Sequence, residues 1–267
     1  MPPEKMTDRQ YLEKQYQDAS KLKARLNLHQ RFSANKYGWQ RWVFDQLKLP
    51  DRSLILELGC GPGTLWLENL DRIPSGWEIT LSDFSAGMLA EARRNLEKRR
   101  HFRFEVVDAQ SIPFESGHFD AVIANHMLYH VPDRQAAFSE IRRVLKPAGR
   151  FYASTGGDQH LIEIASLVRK FDAKQVSWGK GGASFTLENG MSQLFPWFSN
   201  IELYTYKDCL EVTEAAPLAD YILSGRIALG EQEQQFRQFV ARELESHGGV
   251  FHVTTVAGLF VSIPKGE

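Results

Sequence analysis

The stretch SLILELGCGPGTLW, residues 53–66, decides the fold. Its apolar run, Leu54, Ile55, Leu56 and Leu58, carries one acid, Glu57, and leads into glycines at alternate positions, Gly59, Gly61 and Gly63. This pattern predicts a buried strand turning sharply into a helix. Glycines suit such a turn because it needs positive φ and because a Cβ would keep a ligand from the backbone. The spacing E-x-G-x-G-x-G is not the G-x-G-x-x-G of dinucleotide sites, although the turn itself is shared. An acid two residues before the first glycine suits a cationic ligand better than a pyrophosphate. Cys60, inside the turn, fills a small space.

Outward from this turn, strand and helix patterns alternate. Strands are predicted at 53–58, 77–82, 102–107, 119–124 and 150–154, and helices at 85–99 and 133–145. Ser85 is placed to cap the first helix, while Phe138, Ile141 and Leu145 form an apolar stripe on the second, ended by Pro147-Ala148-Gly149. Such alternation implies an α/β domain with a parallel sheet and right-handed crossovers. After Thr155 the spacing loosens: a helix near 158–173, a glycine-bearing loop Trp178–Gly182, a helix near 187–195, a strand at 200–206, a polar helical insertion at 214–247 and a last strand at 250–262. Before the first strand, residues 7–30 carry Leu12, Tyr16, Ala19, Leu22 and Leu26 at helical spacing, and Phe32–Phe44 is rich in aromatics. The domain reading is an N-terminal helical cap at 1–50 and a ligand-binding domain at 51–267, with insertions near 156–198 and 214–247 as lids.

Composition narrows the function. The chain has 267 residues, 43% of them hydrophobic and 24% charged, ample for a sizeable core. Lysine plus arginine (32) nearly equals aspartate plus glutamate (33), so no electrostatic footprint for a polyanion exists and a nucleic-acid partner is disfavoured. No apolar run approaches the roughly 18 residues that span a bilayer, and the charged N-terminus is unlike a signal sequence. Two cysteines, Cys60 and Cys209, are too few for a disulfide framework or a zinc site. The expected location is the cytoplasm; oligomeric state is left open.

Two further acids close the next strands, Asp83 about 25 residues after the turn and Asp108 about 25 further on. A strand-terminal aspartate can be a turn or helix cap. Three acids on successive strands of one alternating pattern read better as a nucleoside site, since a carboxylate can accept both hydroxyl hydrogen bonds of a ribose. The next unit, FDAVIANHMLYHVPDRQAAFSEIRRVLKPAGRFYAS, residues 119–154, has an F-D strand, a short polar turn, an aliphatic–aromatic–His patch and R-x-L-K-P-A-G, where Ala148 stands in place of a glycine. With the glycine turn and the two acids, residues 50–155 resemble the class I S-adenosylmethionine-dependent methyltransferases, and most closely the small-molecule group around the ubiquinone-biosynthesis enzymes.

That resemblance implies a Rossmann-like, mostly parallel seven-stranded sheet with helices on both faces and an antiparallel last strand. It implies S-adenosylmethionine as cofactor, S-adenosylhomocysteine as product and a small organic acceptor. Glu57, Gly59, Cys60, Gly61 and Gly63 would hold the methionine part, Asp83 the ribose, and Asp108 with Ala109 the adenine; Phe84, Met88, Asn125 and Tyr37 complete the binding set. Asn125 and His126, in the turn facing the methyl group, are the catalytic candidates, His126 as a base or as a pocket wall. His130 reads as structural, and His29 as a residue that could reach the acceptor. The turn lacks the Asp/Asn-Pro-Pro-Tyr/Phe pattern of base-methylating enzymes, which argues against DNA. The acceptor pocket is expected between the Asn125-His126 turn, Tyr37-Trp39 and the insertions at 174–198 and 214–247. No metal cluster is expected, because an activated methyl donor needs alignment and water exclusion above all. The alternatives are transfer of another group from a relative of the same donor, a non-catalytic binder of it, and a nicotinamide dehydrogenase.

Overall fold

The computed structural model describes residues 7–8, 20–96, 101–173, 185–225 and 232–266. Among the described residues two helices come first, α1 (Ser20–Phe32) and α2 (Trp39–Gln46). The alternating part follows: β1 (Arg52–Leu58), α3 (Thr64–Leu67), β2 (Gly76–Asp83), α4 (Ala86–Leu96), β3 (Phe102–Val106), β4 (Phe119–Asn125), α5 (Arg134–Val144) and β5 (Leu145–Gly156). Then come α6 (Ile162–Phe171), α7 (Leu187–Leu194), β6 (Phe198–Val212), α8 (Ala215–Ser224), α9 (Glu233–Ser246) and β7 (Phe251–Pro264). The glycine-bearing loop with Trp178, the start of the N-terminal helical pattern and residues 97–99 of the 85–99 helix lie outside the described residues.

The seven strands form one sheet in the order β3-β2-β1-β4-β5-β7-β6. The first five are parallel, and β7 runs antiparallel between β5 and β6, as the expectation of an antiparallel last strand had it. The order reverses between β1 and β4, so a crevice opens at their carboxyl ends, the place where ligands bind in such sheets. Two apolar layers flank the sheet. One packs Phe138 and Ile141 of α5 with Phe185, Leu194 and Phe198; the other packs α2, α3 and α4 through Phe44, Trp66 and Leu89. Ser85 caps α4 through its hydroxyl to the Met88 N–H, and Asp133 caps α5 through Ala136 N–H.

A third core decides where the site is roofed. Pairing of β5 with β7 ends at Gly156–Ala257, yet β6 and β7 stay paired from there to Val212–Phe251. This two-stranded ribbon projects beyond the carboxyl edge of the sheet. A bare ribbon would leave apolar side chains in water. Here Leu210, Val212, Phe251 and Val253 are covered by Leu28 of α1, Ile164 of α6, Leu218 of α8 and Phe236 of α9. Ion pairs Arg31–Glu214 and Lys170–Glu243 add links across the assembly. The cap is therefore a small packed unit built from both ends of the chain, rather than two separate lids.

Candidate active site

The glycine turn joins β1 to α3 in left-handed geometry, with φ of +67° at Gly59, +55° at Gly61 and +77° at Gly63. The three glycines are needed for different reasons. A Cβ at Gly59 would lie 2.7 Å from Met127 Cβ, and one at Gly63 2.6 Å from Leu96. At Gly61 the nearest atom would be Leu22 Cδ2 at 3.5 Å, so this glycine keeps the cavity side of the turn clear. The Gly61 N–H donates to Asp83 (2.9 Å), tying the turn to the end of β2.

Glu57, Asp83 and Asp108 stand at the ends of β1, β2 and β3 and all border one cavity of about 1000 Å³. That is the upper end of the range for a single ligand, with room for a donor and a second small molecule. Glu57 is buried and accepts the Trp66 indole N–H at 2.6 Å; its second oxygen has no partner among the described residues. Burial pushes its carboxyl up to about 8, against the opposing pull of Trp66, and the neighbouring Asp83 adds to the rise. Burial also raises Asp83, partly offset by the N–H groups of Ser85 and Gly61. Asp83 thus serves the turn and borders the cavity at once. Asp108 takes the backbone and side-chain N–H of Gln110, both at 2.9 Å. Phe84, Met88 and Ala109 line the same side. Cys60 is buried, its thiol turned to the Gly61 carbonyl at 3.5 Å and pushed up by burial.

Beside the glycine turn lies the turn after β4, the strand paired with β1. Asn125 Oδ1 accepts the Trp39 indole N–H (3.2 Å) and the Ser154 hydroxyl (2.6 Å), while its Nδ2 donates to Gln40 (3.2 Å). His126 has φ of +54°, unusual for a side chain with a Cβ, and is held there by its N–H to Ser154 Oγ at 3.0 Å. Its ring lies 4.9 Å from that of Trp39. Burial and the nearby His29 lower it to about 4, so His126 is neutral at physiological pH and a weak base.

Other candidates fall into place around these. Tyr37 is 46% exposed at the cavity rim with its hydroxyl on Asp45 (2.7 Å), whereas Trp39 reaches the β4 turn. His29 lines the cavity from α1, and so does His130, which departs from a purely structural reading. The insertion at 214–247 contributes Tyr221. The described part of 174–198 does not line the cavity: Phe185 is fully buried and Trp197 packs beside it in the α5 layer, with its indole on Gln135. That expectation is corrected, because these aromatics are needed to cover the sheet. Sequence reasoning missed Trp66, Ser154 and His160; only Trp66, inside the glycine stretch, had a local signal.

Comparison with known proteins agrees with this geometry. Residues 56–153 match the family described as a methyltransferase domain. The demethylmenaquinone methyltransferase of Beutenbergia cavernae is 36% identical over 112 residues, 42% of this chain and 44% of that protein. The malonyl-[acyl-carrier protein] O-methyltransferase of Geobacter sulfurreducens is 36% identical over 115 residues, 43% of each. The chain thus spans less than half the length of these curated relatives. Among solved structures, the YcgJ protein of Bacillus subtilis superposes with a TM-score of 0.60 at 17% identity over 85% of this chain and 98% of that one, a likeness of fold. Residues 56–153 are thus similar to a methyltransferase domain, and the sheet with its flanking helices has the fold of the YcgJ protein.

Proposed function

We propose that this chain binds S-adenosylmethionine and transfers its methyl group to a small organic acceptor. The observation that carries the reading is the meeting of three strand-terminal carboxylates and one unobstructed glycine turn on a single roofed cavity. The second oxygen of Glu57, without a partner among the described residues, suits an ammonium group, Asp83 a diol and the Asp108–Ala109 turn a purine edge. Names of the relatives, a demethylmenaquinone and a malonyl-carrier methyltransferase, support methyl transfer to a small molecule.

When bound, the sulfonium supplies a methyl carbon already activated for in-line displacement by the acceptor. The chain's own work is alignment and exclusion of water. Trp39, Gln40 and Ser154 hold the Asn125-His126 turn rigid, and the cap on the β6–β7 ribbon closes over it. The assignment of residues 1–50 as cap and 51–267 as catalytic domain belongs to this reading, with the qualification that α1 shares its core with α8 and α9. The net charge of −1 favours a small acceptor over a nucleic acid, and no helix among the described residues is long and apolar enough to cross a membrane. Calorimetry with S-adenosylmethionine, followed by transfer of labelled methyl into a metabolite pool, tests the proposal. Binding of NADH without binding of S-adenosylmethionine overturns it, and binding without any methyl transfer leaves a non-catalytic binder.

A further inference from the structure

Three histidines from distant parts of the chain meet on the cavity wall: His29 on α1, His126 after β4 and His160 after β5. They form an electrostatic group separate from the strand-end acids. His160 feels His29 and His126, whereas Glu57 feels Asp83. The rings of His29 and His160 are nearly parallel, 7° apart with centroids at 6.3 Å, and Tyr221 stands edge-on to His29 at 6.1 Å. The ring of His126 lies against that of Trp39, with centroids 4.9 Å apart.

The hydrogen bonds determine what the cluster offers. Val256 N–H donates to His160 Nδ1 at 3.0 Å, so in the neutral ring the proton sits on Nε2. Neither that Nε2 nor the ring nitrogens of His29 and His126 have a partner among the described residues, and none is sealed from accessible space. Burial keeps all three rings below their ordinary range, so they present donors and lone pairs without charge. They are not arranged to hold a metal ion. Of the charged groups on the cavity, Asp208 accepts from Ser33 Oγ (2.6 Å) and Asn35 N–H (2.9 Å), Arg25 donates to the Ser224 carbonyl, and Lys36 donates to that of Ser33.

We propose that His29, His126 and His160 form the acceptor subsite, and that it takes an uncharged, planar hydroxyl compound of the phenol or enol class. His160 Nε2–H donates to the oxygen, and a lone pair of His29 or His126 accepts the hydroxyl proton's hydrogen bond. The three neutral rings themselves offer neither the carboxylate that holds a protonated amine nor the cation that holds a full anion. The stacked ring faces favour a flat molecule over an aliphatic one. This inference rests on the methyl-transfer reading and deepens it.

The test uses the full chain saturated with S-adenosylhomocysteine at about pH 6.5, where simple phenols are neutral. The probe is 4-cyanophenol, with 4-cyanobenzylamine as the shape-matched ammonium, both measured by calorimetry. The expected result is binding of the phenol in preference to the amine. His160→Asn, whose amide oxygen can keep the Val256 bond while the Nε2 donor is lost, should weaken the phenol about tenfold or more and leave S-adenosylhomocysteine affinity unchanged. Tighter binding of the amine, no binding of the phenol, or equal phenol affinity in a His160→Asn protein that still binds S-adenosylhomocysteine overturns the inference. Should that variant fail to fold, the phenol–amine preference of the parent decides. Failure of the parent to bind S-adenosylhomocysteine at all instead overturns the proposed function.

Discussion

Binding of S-adenosylmethionine should release a proton from Glu57. With its carboxyl pushed up to about 8, the free protein holds Glu57 about nine-tenths protonated at pH 7. An ammonium group beside its second oxygen favours the ionised form, so the proton leaves as the ligand arrives. Two consequences follow with definite signs. Affinity should rise with pH, by up to about tenfold per unit between about pH 6 and pH 7.5, because the proton must be displaced at lower pH. Stability of the free protein should move the other way. Folding keeps the protonated acid, so this group's contribution is complete below its unfolded value near 4.5 and is lost as pH rises through about 8. Calorimetry at pH 7 in two buffers of different ionisation enthalpy counts the protons. Asp83, also raised by burial, can add to the count, so Glu57→Gln isolates the Glu57 share and should flatten most of the pH dependence. Zero net proton release, or the same release from Glu57→Gln, refutes the reasoning.

Gly61→Val should abolish S-adenosylmethionine binding while the sheet still folds, because a branched side chain at φ of +55° is strained and fills the cleared side of the turn; unchanged affinity in a folded variant rules this out. At His126, also at positive φ, His126→Gly should be more stable than His126→Ala by about 1 kcal/mol in denaturant titrations, since only glycine accepts that backbone without strain. With its ring lowered to about 4, His126 should put no acid limb into the turnover profile above about pH 5, and a limb that disappears in His126→Asn contradicts this. Deleting residues 1–35 removes Leu28 and Phe32 from the cap core, so turnover should fall and amide exchange in α8 and α9 should quicken while β1–β5 stay protected; equal turnover by the truncated chain removes the lid role.

The sequence by itself determined the alternating core and the side of the sheet on which the acids stand. Each signal there is local: an apolar run, glycines two apart, an acid at a strand's end and a cap before a helix all lie within a dozen residues. Hence Glu57, Asp83, Asp108 and the Asn125-His126 turn were legible before any fold was drawn, and all border one cavity. The roof over them was not. It depends on how far β6 and β7 stay paired beyond β5, and on which apolar faces then cover that ribbon. Leu28 and Phe236 share that core across some 200 residues of chain, a pairing without any spacing signal. Ser154 and His160 were hidden for the same reason: a serine ending a strand and a histidine in a loop look ordinary until strand register sets one against His126 and the other against Val256. Local periodicity encodes which face of an element is buried. What meets across the cavity is settled by non-local packing, where many weak apolar contacts select one arrangement of segments that no short stretch specifies alone.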